Sequence, residues 1–484
     1  MSVKESLQSL KRPSYPSLPS LLQHPELLFL LCASIFGLIM IFVMPPFMVP
    51  DENAHLFRAY QISTGGLLST NQAGLTGGEL PTALYQETSQ LYADTINGGA
   101  TSHVPILPYL KKMNLSKKKF VQFETVAVYS PFSYIPQTIG IIIGKTIYPS
   151  LFVIFYLGRL FNLFAFILMV YLAIRLAPFG KWVFFTTALL PMTMQQAASL
   201  SSDVTTIGLA FIAVAYFLHL LAANRLLTRR QVLLIFGLGV LLGFTKQTNP
   251  IFMIPYLFFP AKFFVNSRKR ILFCFGALVS AFGAALLWYL IIKLLHYNLN
   301  YSGNAAVNMS QQERHLLRHP VSYLAVLFRT FIFNGTSTPP TPDFYWQSMV
   351  GVFSWIRYSL PIMSVIAAYI ILLLSLLIST SAKLTSLISR RIRLSFGFVL
   401  IGSMLAISTI LYVIWTPVGA PVVAGIQGRY FLPLVPLLIP IVSSQKLRLV
   451  ASSKTFIPAC ITLVTAANFL MMFYETMRYF HHWA

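Results

Sequence analysis

Residues 27–60 read LLFLLCASIFGLIMIFVMPPFMVPDENAHLFRAY, an apolar run that ends in prolines and is followed at once by charged residues. A helix needs about 20 apolar residues to cross the hydrocarbon core of a bilayer, and residues 27–46 have that length. Charged side chains are costly at membrane depth, so the acids and the arginine of residues 51–58 mark the end of the span. This stretch predicts a membrane-spanning helix with a charged boundary.

The composition extends this prediction to the whole chain. Of its 484 residues, 56% are hydrophobic and 10% are charged, whereas a soluble domain is about 25% charged. The excess apolar surface must face lipid, so the predicted fold class is an all-α polytopic membrane protein. We predict about eleven transmembrane helices, at residues 27–46, 150–174, 181–199, 204–223, 231–246, 250–265, 271–293, 358–380, 394–414, 429–443 and 455–474.

A further apolar stretch at residues 126–146 is interrupted by Pro131 and Pro136. If it crossed the membrane, later basic clusters such as Arg268–Arg270 and Arg390–Arg393 would lie outside the cytoplasm. Positive residues in short loops favour the cytoplasm, so we predict an interfacial or re-entrant helix in the first outer loop. The predicted organisation is a cytoplasmic tail at 1–26, a single transmembrane domain at 27–474 with outer loops at 47–149 and 294–357, and a short outer tail at 475–484.

The same patterns exclude several function classes. The net charge of +23 does not indicate nucleic-acid binding, because short basic clusters between apolar runs serve to orient helices and to contact anionic membrane lipids. Cys32, Cys274 and Cys460 lie in apolar segments and predict neither disulfides nor a thiolate metal site. His315 and His319 have the spacing of a metal pair but lack a third ligand, and no nucleotide-binding or nucleophile motif is visible.

The segment after the first span carries a dense cluster of polar groups, Asp51, Glu52, His55, Arg58 and Tyr60. The two acids open a helix, where a carboxylate can act as a cap. Capping accounts for one acid, but Asp51, His55 and Arg58 also share one helical face by their i, i+4, i+7 spacing. We therefore interpret Asp51 or Glu52 as a general base for an acceptor hydroxyl and Arg58 as a ligand of a phosphate oxygen.

A third acid, Asp203, follows the serine-rich turn Ser199–Ser202 on the outer side of a span. Two interpretations are open for it. Either Asp203 caps the next helix, or it joins Asp51 in holding a divalent cation or in orienting the acceptor. No cofactor is certain from the sequence, and a cation held by Asp51 and Asp203 is the one candidate.

A Gly-x-x-Gly turn enters a predicted span from the outer side and contains or precedes Gln427, Arg429 and Tyr430. This arrangement suits a lipid phosphate, although arginine and tyrosine also serve as ordinary interfacial anchors. Lys246 and Arg159 fall towards the outer halves of their spans, where each alone could be a snorkelling side chain. Together, these cations and the outer carboxylates predict a substrate site on the outer face.

These motifs resemble a family of bacterial multispanning membrane proteins of unknown function. The most specific ones are Pro-Asp-Glu-x-x-His-x-x-Arg-Ala-Tyr at 50–60 and Gln-Gly-Arg-Tyr-Phe-Leu-Pro at 427–433. Three more lie between them, at 129–137, 158–162 and 195–203, so the resemblance runs through most of the chain. That family is in turn similar to the GT-C superfamily of glycosyltransferases, which includes protein mannosyltransferases and the aminoarabinose transferase.

The resemblance implies a GT-C-like fold with interfacial helices in the first outer loop and with acids at the positions of Asp51, Glu52 and Asp203. It implies a glycosyltransferase of the plasma (inner) membrane that moves a sugar from a polyprenyl-phosphate donor to a cell-envelope acceptor. That acceptor would be a glycan, a lipid-linked molecule or a protein. Arg58, Lys246 and Arg429 would hold the leaving lipid phosphate on the outer face. The remaining substrate-binding candidates are His55, Tyr60, Arg159, Gln427 and Tyr430.

Two other functions stay open at this level. A transporter or flippase of lipid-linked glycans would place its charged site near the midplane and often has repeated halves, whereas here the charges lie at the outer boundary and no repeat is visible. A non-catalytic binding protein would retain the same fold, since a fold does not determine function. The sequence leaves the sugar, the acceptor, the oligomeric state and metal dependence undetermined.

Overall fold

A computed structural model describes residues 21–97, 107–299, 304–333, 344–378, 386–443 and 455–480. These residues form a mostly helical fold with one small β-sheet and one short β-hairpin. The α-helices are α1 (Pro25–Val43), α2 (Glu52–Ser63), α3 (Thr82–Asn97), α4 (Glu124–Ala127), α5 (Ile135–Ile147), α6 (Leu151–Leu176), α7 (Lys181–Ala188), α8 (Pro191–Ala197), α9 (Asp203–Ala223), α10 (Arg229–Thr245), α11 (Ser267–Leu278), α12 (Ala284–Leu294), α13 (Met309–Arg318), α14 (Pro320–Phe328), α15 (Phe344–Val350), α16 (Ile362–Ile378), α17 (Arg390–Ile414), α18 (Leu438–Val442) and α19 (Phe456–Tyr479). The strands are β1 (Thr70–Gln72), β2 (Leu75–Pro81), β3 (Lys118–Gln122), β4 (Val352–Phe353) and β5 (Tyr358–Ser359). There are 3-10 helices at Leu107–Leu110, Pro131–Tyr134, Asn249–Phe258, Ala261–Phe263 and Gly428–Leu437, and π-helical turns at Val279–Gly283 and Arg329–Phe333.

Six helices among the described residues are long and apolar enough to cross a membrane. They are α1, α6, α9, α17, α19 and the helix Ser267–Leu294, which joins α11 to α12 through a π-helical turn. Shorter apolar helices accompany them at Asn249–Phe258, Pro320–Ile332, Ile362–Ile378 and Gly428–Val442. The chain is therefore a helical multi-pass membrane protein, and the total number of spans stays a prediction.

The predicted span at 181–199 is not one continuous helix. It is divided into α7 and α8 at Pro191, because proline lacks the N–H group that continues a helix and its ring clashes with the preceding turn. The whole segment Trp182–Ser202 is buried, and broken helices at membrane depth occur where protein surrounds them. The predicted spans at 250–265 and 429–443 likewise contain 3-10 helix around internal prolines.

The first outer loop contains the helix α5, which has 13 residues. At 1.5 Å per residue this helix is about 20 Å long, too short for a hydrocarbon core of about 30 Å. It packs closely on α6, since a Cβ atom on Gly140 would lie 2.3 Å from the carbonyl oxygen of Leu157. Its length agrees with the prediction that residues 126–146 do not span the membrane, and its interfacial or re-entrant position stays a prediction.

The same loop also forms a three-stranded antiparallel sheet in the order β1–β2–β3. The fold class is still all-α, because the chain is mostly helical, but this small sheet was not predicted. Its strands have 3, 7 and 5 residues, and β2 contains two adjacent glycines and ends in Pro81. They show no alternation of apolar and polar residues, and β2 pairs with a strand far along the chain, so no local pattern marks them as strands.

Two contacts join loops that the charge pattern assigns to the cytoplasmic face. Lys181 Nζ lies 3.1 Å from Glu26 Oε2, at the start of α1. The Leu227 N–H, just before α10, donates to the Phe263 carbonyl oxygen at 2.9 Å. The charged residues of the candidate site lie at the opposite ends of these helices.

Candidate functional site

One cavity brings together six of the predicted site residues. It has a volume of about 930 Å³ and lies where the start of α2, the start of α9, the end of α10 and the 3-10 helix from Gly428 approach one another. Four separate segments of the chain therefore contribute to one wall, which we call the polar wall. The polar wall contains Asp51, Asp203, Lys246, Gln427, Arg429 and Tyr430.

Asp203 and Lys246 form an ion pair in the polar wall, with 2.6 Å between Nζ and Oδ1. Asp203 is the first residue of α9, and Lys246 directly follows α10. A helix dipole stabilises a negative charge at the N-terminus and a positive charge at the C-terminus, so both helix ends favour this pair. The Lys246 Nζ also lies 5.5 Å from the centre of the Tyr129 ring and 6.0 Å from that of Tyr430. Asp203 and Lys246 thus hold each other in place.

Asp51 differs from Asp203 in having no ion-pair partner among the residues that the structure describes. It occupies the N-cap position of α2 with a left-handed backbone (φ 63°), yet its side chain makes no capping hydrogen bond. Within the described part of the chain, no ion pair engages its carboxylate either. Burial raises the pKa of the Asp51 carboxyl, the positive charge of Arg429 opposes that shift, and the like charge of Asp203 adds to it. Asp51 is therefore the carboxylate of the wall that is placed to accept a proton.

Arg429 is the second cation of the polar wall and is 8% exposed. One Nη donates to Gln196 Oε1 at 3.1 Å, and the guanidinium carbon lies 5.4 Å from the centre of the Tyr430 ring. Its Nε is buried and has no hydrogen-bond acceptor among the described residues. The preceding Gly428 fixes this position, because a Cβ atom there would lie 2.2 Å from the Tyr345 carbonyl oxygen. Since Arg429 lines the cavity, its guanidinium group supplies positive charge that would stabilise an anion there.

The cavity continues from the polar wall into an apolar arm. The lining residues of this arm are Phe282 and Leu286 from the helix Ser267–Leu294 and Ile407, Ile410 and Ile414 from α17. Phe282, Leu286 and Ile410 are 44%, 55% and 40% exposed, so the arm reaches the outward surface of two membrane-spanning helices. The cavity thus has the chemistry of a binding site for a molecule with an anionic head and an apolar chain.

Two side-chain amides hold the turn before Asp203. Asn162 Nδ2 donates to the carbonyl oxygens of Ser199 at 2.7 Å and Ser201 at 3.0 Å. Gln137 Nε2 donates to the Ser201 carbonyl at 3.2 Å. The three middle motifs of the sequence resemblance therefore pack on one another, and their shared effect is to position Asp203.

Glu52 is adjacent to Asp51 but lies outside the cavity wall. Its carboxylate accepts hydrogen bonds from Arg159 Nη2 at 2.7 Å and Nε at 2.8 Å, and both side chains are fully buried. It also accepts from the backbone N–H groups of Phe47 at 3.0 Å and Leu200 at 3.1 Å. Arg159 in turn donates to three backbone carbonyls at the end of α1, which have no partner within the helix. These contacts tie α1, α2 and α6 together and leave neither residue in the cavity.

The remaining residues of the first cluster are buried in the packing of α2. His55 Nδ1 and the Tyr134 hydroxyl share a hydrogen bond of 2.8 Å, and burial lowers the pKa of His55 to about 3, so its ring is neutral. Arg58 is fully buried and donates to the Leu67 carbonyl oxygen at 2.9 Å. Tyr60 is 2% exposed. The structure places all three behind the polar wall rather than in it.

The single helical face predicted for Asp51, His55 and Arg58 is not formed. Asp51 lies before the first residue of α2, and its left-handed backbone directs the chain differently from a helical residue. The i, i+4, i+7 spacing applies only within a helix. Asp51 therefore reaches the cavity while His55 and Arg58 do not.

A family model described as a predicted membrane protein, DUF2142, matches residues 34–438. The chain belongs to the DUF2142 family. The matched range includes the whole polar wall as well as Glu52 and Arg159. This result agrees with the membrane-protein family that the motifs indicate. No curated protein and no solved structure was found to match the chain.

The described residues of this chain do not form a recognisable set of metal ligands. No group of three or more His, Cys, Asp or Glu side chains is arranged there to hold an ion. The polar wall supplies two carboxylates, of which Asp203 is already paired with Lys246. The positive charge of the wall comes from Lys246 and Arg429, so we assign no chemical step to a metal ion.

Trp355 and Ile356 are among the cavity residues that no sequence motif predicted. Ser354, Trp355 and Ile356 have φ values of 51°, 56° and 65°, and the Arg357 N–H donates to the Phe353 carbonyl oxygen at 2.9 Å. This is one turn of left-handed helix between β4 and β5, and we call it the left-handed turn. Such a conformation costs about 1–2 kcal/mol for each residue with a side chain. The turn contains no glycine, so no residue pattern marks its position.

Proposed function

We propose that this protein is a membrane glycosyltransferase of the GT-C type, which moves a sugar from a polyprenyl-phosphate donor to a hydroxyl group of a cell-envelope acceptor. The observation that carries the proposal is the cavity, in which an unpaired carboxylate and two cations share one wall with an apolar arm. A polyprenyl-phosphate sugar has matching parts, namely a sugar, a phosphate and a long apolar chain. Its site would face outward from the plasma membrane, opposite the basic loops.

In the proposed reaction, the acceptor hydroxyl oxygen attacks the anomeric carbon of the donor sugar, and Asp51 accepts the hydroxyl proton. The bond from the anomeric carbon to the phosphate oxygen breaks, and polyprenyl phosphate leaves with the bonding electrons. Arg429 and Lys246 stabilise the negative charge that develops on the phosphate, which is most effective in a site shielded from water. Asp203 keeps Lys246 in position through their ion pair.

The raised pKa of Asp51 supports its role. A carboxylate is a stronger proton acceptor when its pKa lies closer to the working pH, and burial is a common way to reach that state. Gln427 and Tyr430 complete the polar wall around the donor. The residues that position the Asp51 segment without entering the cavity are Glu52, His55, Arg58, Tyr60 and Arg159.

Sugar transfer by the purified protein in nanodiscs tests this proposal. Labelled polyprenyl-phosphate sugars are supplied with cell-envelope glycans, lipid-linked glycans and proteins, and the wild type is compared with Asp51→Asn. The matched control is Asp94→Asn, the same change in the same outer loop, at a carboxylate that accepts a hydrogen bond from Tyr109 outside the cavity. We expect product from the wild type and from Asp94→Asn, and none from a well-folded Asp51→Asn.

Two results would contradict the proposal. If the protein binds polyprenyl phosphate but forms no product with any donor, transport or binding becomes the better explanation. Vesicle assays would then show movement of lipid-linked glycans that survives Asp51→Asn if the protein is a transporter. If Asp51→Asn transfers sugar at the wild-type rate, Asp51 is not the base.

A further inference from the structure

The left-handed turn packs against the loop that carries Asp51. The Trp355 indole N–H donates to the Phe47 carbonyl oxygen at 3.2 Å. The Trp355 ring also meets the Tyr92 ring edge to face, with 6.3 Å between centres and 66° between planes. Burial raises the pKa of Tyr92, and the nearby Asp51 carboxylate raises it further. Trp355 and Tyr92 thus lie on the side of the cavity where Asp51 lies.

Backbone strain is concentrated at this junction. Eight non-glycine residues in the described part of the chain have positive φ, and five of them lie in the two contacting segments. The turn is also connected to α3, because Arg357 directly after it donates a hydrogen bond to the Ile96 carbonyl oxygen near the end of that helix. Strain of this kind persists where the surrounding structure imposes a geometry that function needs. The five residues are Phe47, Asp51, Ser354, Trp355 and Ile356.

We propose that Trp355 forms a subsite for a pyranose ring, whose apolar face stacks on the indole beside Asp51. This inference rests on the proposed function and adds the residue that recognises the sugar. One face of a pyranose presents C–H groups, and the electron-rich face of an indole attracts such weakly positive hydrogens. The arm between α12 and α17 is lined mainly by aliphatic side chains, which suit a flexible chain better than a flat ring. The stacked sugar belongs either to the donor or to the acceptor.

Steady-state kinetics with Trp355→Leu and Trp355→Phe test the subsite. Leucine keeps apolar bulk and removes the aromatic face, whereas phenylalanine keeps a ring. Aromatic pairs gain a factor of about 3 to 10 from their geometry. We expect a similar gain from the stacked sugar, so Trp355→Leu should raise one KM by about that factor and Trp355→Phe by less. Trp346→Leu is the matched control, since Trp346 lies on α15 and is 59% exposed, and it should leave both KM values unchanged.

The outcomes also identify the source of the sugar. A higher KM for the polyprenyl-phosphate sugar alone assigns the subsite to the donor, and a higher KM for the acceptor alone assigns it to the acceptor. Unchanged KM values for both substrates, with transfer still active, would overturn the subsite while leaving the proposed function intact. A purely structural role would instead lower kcat and thermal stability without a change in either KM.

Direct binding decides the matter if the wild type transfers no sugar or if Trp355→Leu does not fold. Methyl pyranosides of glucose, mannose and N-acetylglucosamine are titrated into nanodiscs, and tryptophan fluorescence is measured for the wild type and for Trp355→Phe. A saturable change that is present in the wild type and lost in Trp355→Phe supports the subsite, whatever the fate of the transferase proposal. A titration with no Trp355-dependent change overturns it.

Discussion

Glu52→Gln tests whether the buried pair with Arg159 holds the first outer segment in place. The change preserves shape but removes the charge and replaces one oxygen by an NH2 group. Oε1 accepts from Arg159 Nε at 2.8 Å and Leu200 N at 3.1 Å, and Oε2 accepts from Arg159 Nη2 at 2.7 Å and Phe47 N at 3.0 Å. In either orientation of the amide that this change introduces, its NH2 group therefore lies opposite two N–H donors, which are left without an acceptor.

The expected loss is about 3–5 kcal/mol of unfolding free energy, the usual effect of removing one partner from a buried ion pair. The hydrogen bonds lead to a similar figure, because each buried donor left without an acceptor costs about 1–3 kcal/mol. Arg159 keeps its three carbonyl acceptors at the end of α1. Because these hydrogen bonds of Arg159 remain, the loss of unfolding free energy should lie in the lower part of the range of about 3–5 kcal/mol.

The assay is unfolding of the detergent-solubilised protein by SDS, followed through tryptophan fluorescence, for the wild type and for two variants. Glu26→Gln is the matched control, since Glu26 pairs with Lys181 at 3.1 Å but the two side chains are 15% and 31% exposed. A partly exposed pair contributes only about 0–1 kcal/mol. Glu52→Gln should therefore unfold at a clearly lower SDS concentration than Glu26→Gln.

Equal unfolding of the two variants would refute the structural interpretation of Glu52. If Glu52→Gln then abolished transfer without any loss of stability, Glu52 would belong to the reaction itself. If both stability and transfer were unchanged, the buried pair would be dispensable. Only a loss of stability larger than that of Glu26→Gln supports a structural role for the Glu52–Arg159 pair.

Three further outcomes are expected. The transfer rate should fall as the pH drops through the raised pKa of Asp51, because a protonated carboxyl cannot accept a proton. Asp203→Asn removes a like charge that raises this pKa, so in this variant the fall in rate should occur at lower pH. An unchanged pH profile would contradict the assignment of Asp51 as the base. Arg429→Gln should lower kcat at saturating donor about 10²- to 10³-fold, and an unchanged kcat would exclude its role with the phosphate. Gly428→Ala should lower the midpoint of unfolding, because its Cβ would lie 2.2 Å from a backbone carbonyl oxygen of α15. The control is Gly237→Ala, whose Cβ would meet no atom within 4 Å. This control variant should be neutral or stabilising.

The polar wall is largely predictable from the positions of charges along the chain. Asp51, Asp203, Lys246 and Arg429 each lie at or near the outer end of an apolar run. Charges that are costly in hydrocarbon collect at the ends of spans, and helix ends on one face of a bundle are close in space. Residues that are far apart in sequence therefore meet without any local motif that joins them.

The positions of charges do not predict which polar residues line the cavity and which ones, such as Glu52 and Arg159, connect the helices. Asp51 and Glu52 are adjacent and chemically alike, and which of them faces the cavity depends on the left-handed backbone of Asp51 and on Arg159 reaching across from α6. The left-handed turn that carries Trp355 has no glycine to mark it. The sheet of the first outer loop depends on pairing between distant segments, such as Gly77 with Gln122. Periodicity and local propensity carry no information on such contacts.

Stability alone does not explain Asp51. A partly buried carboxylate without a partner raises the free energy of the folded state, and its left-handed backbone adds a cost that glycine would avoid. The neighbouring Glu52 accepts four hydrogen bonds, so the fold fixes the chain next to a carboxylate that no described residue caps or pairs with. Trp355 contacts the same loop from the other side with the same kind of strain. Packing does not account for two strained segments in contact next to Asp51, whereas the proposed reaction would require a fixed geometry there.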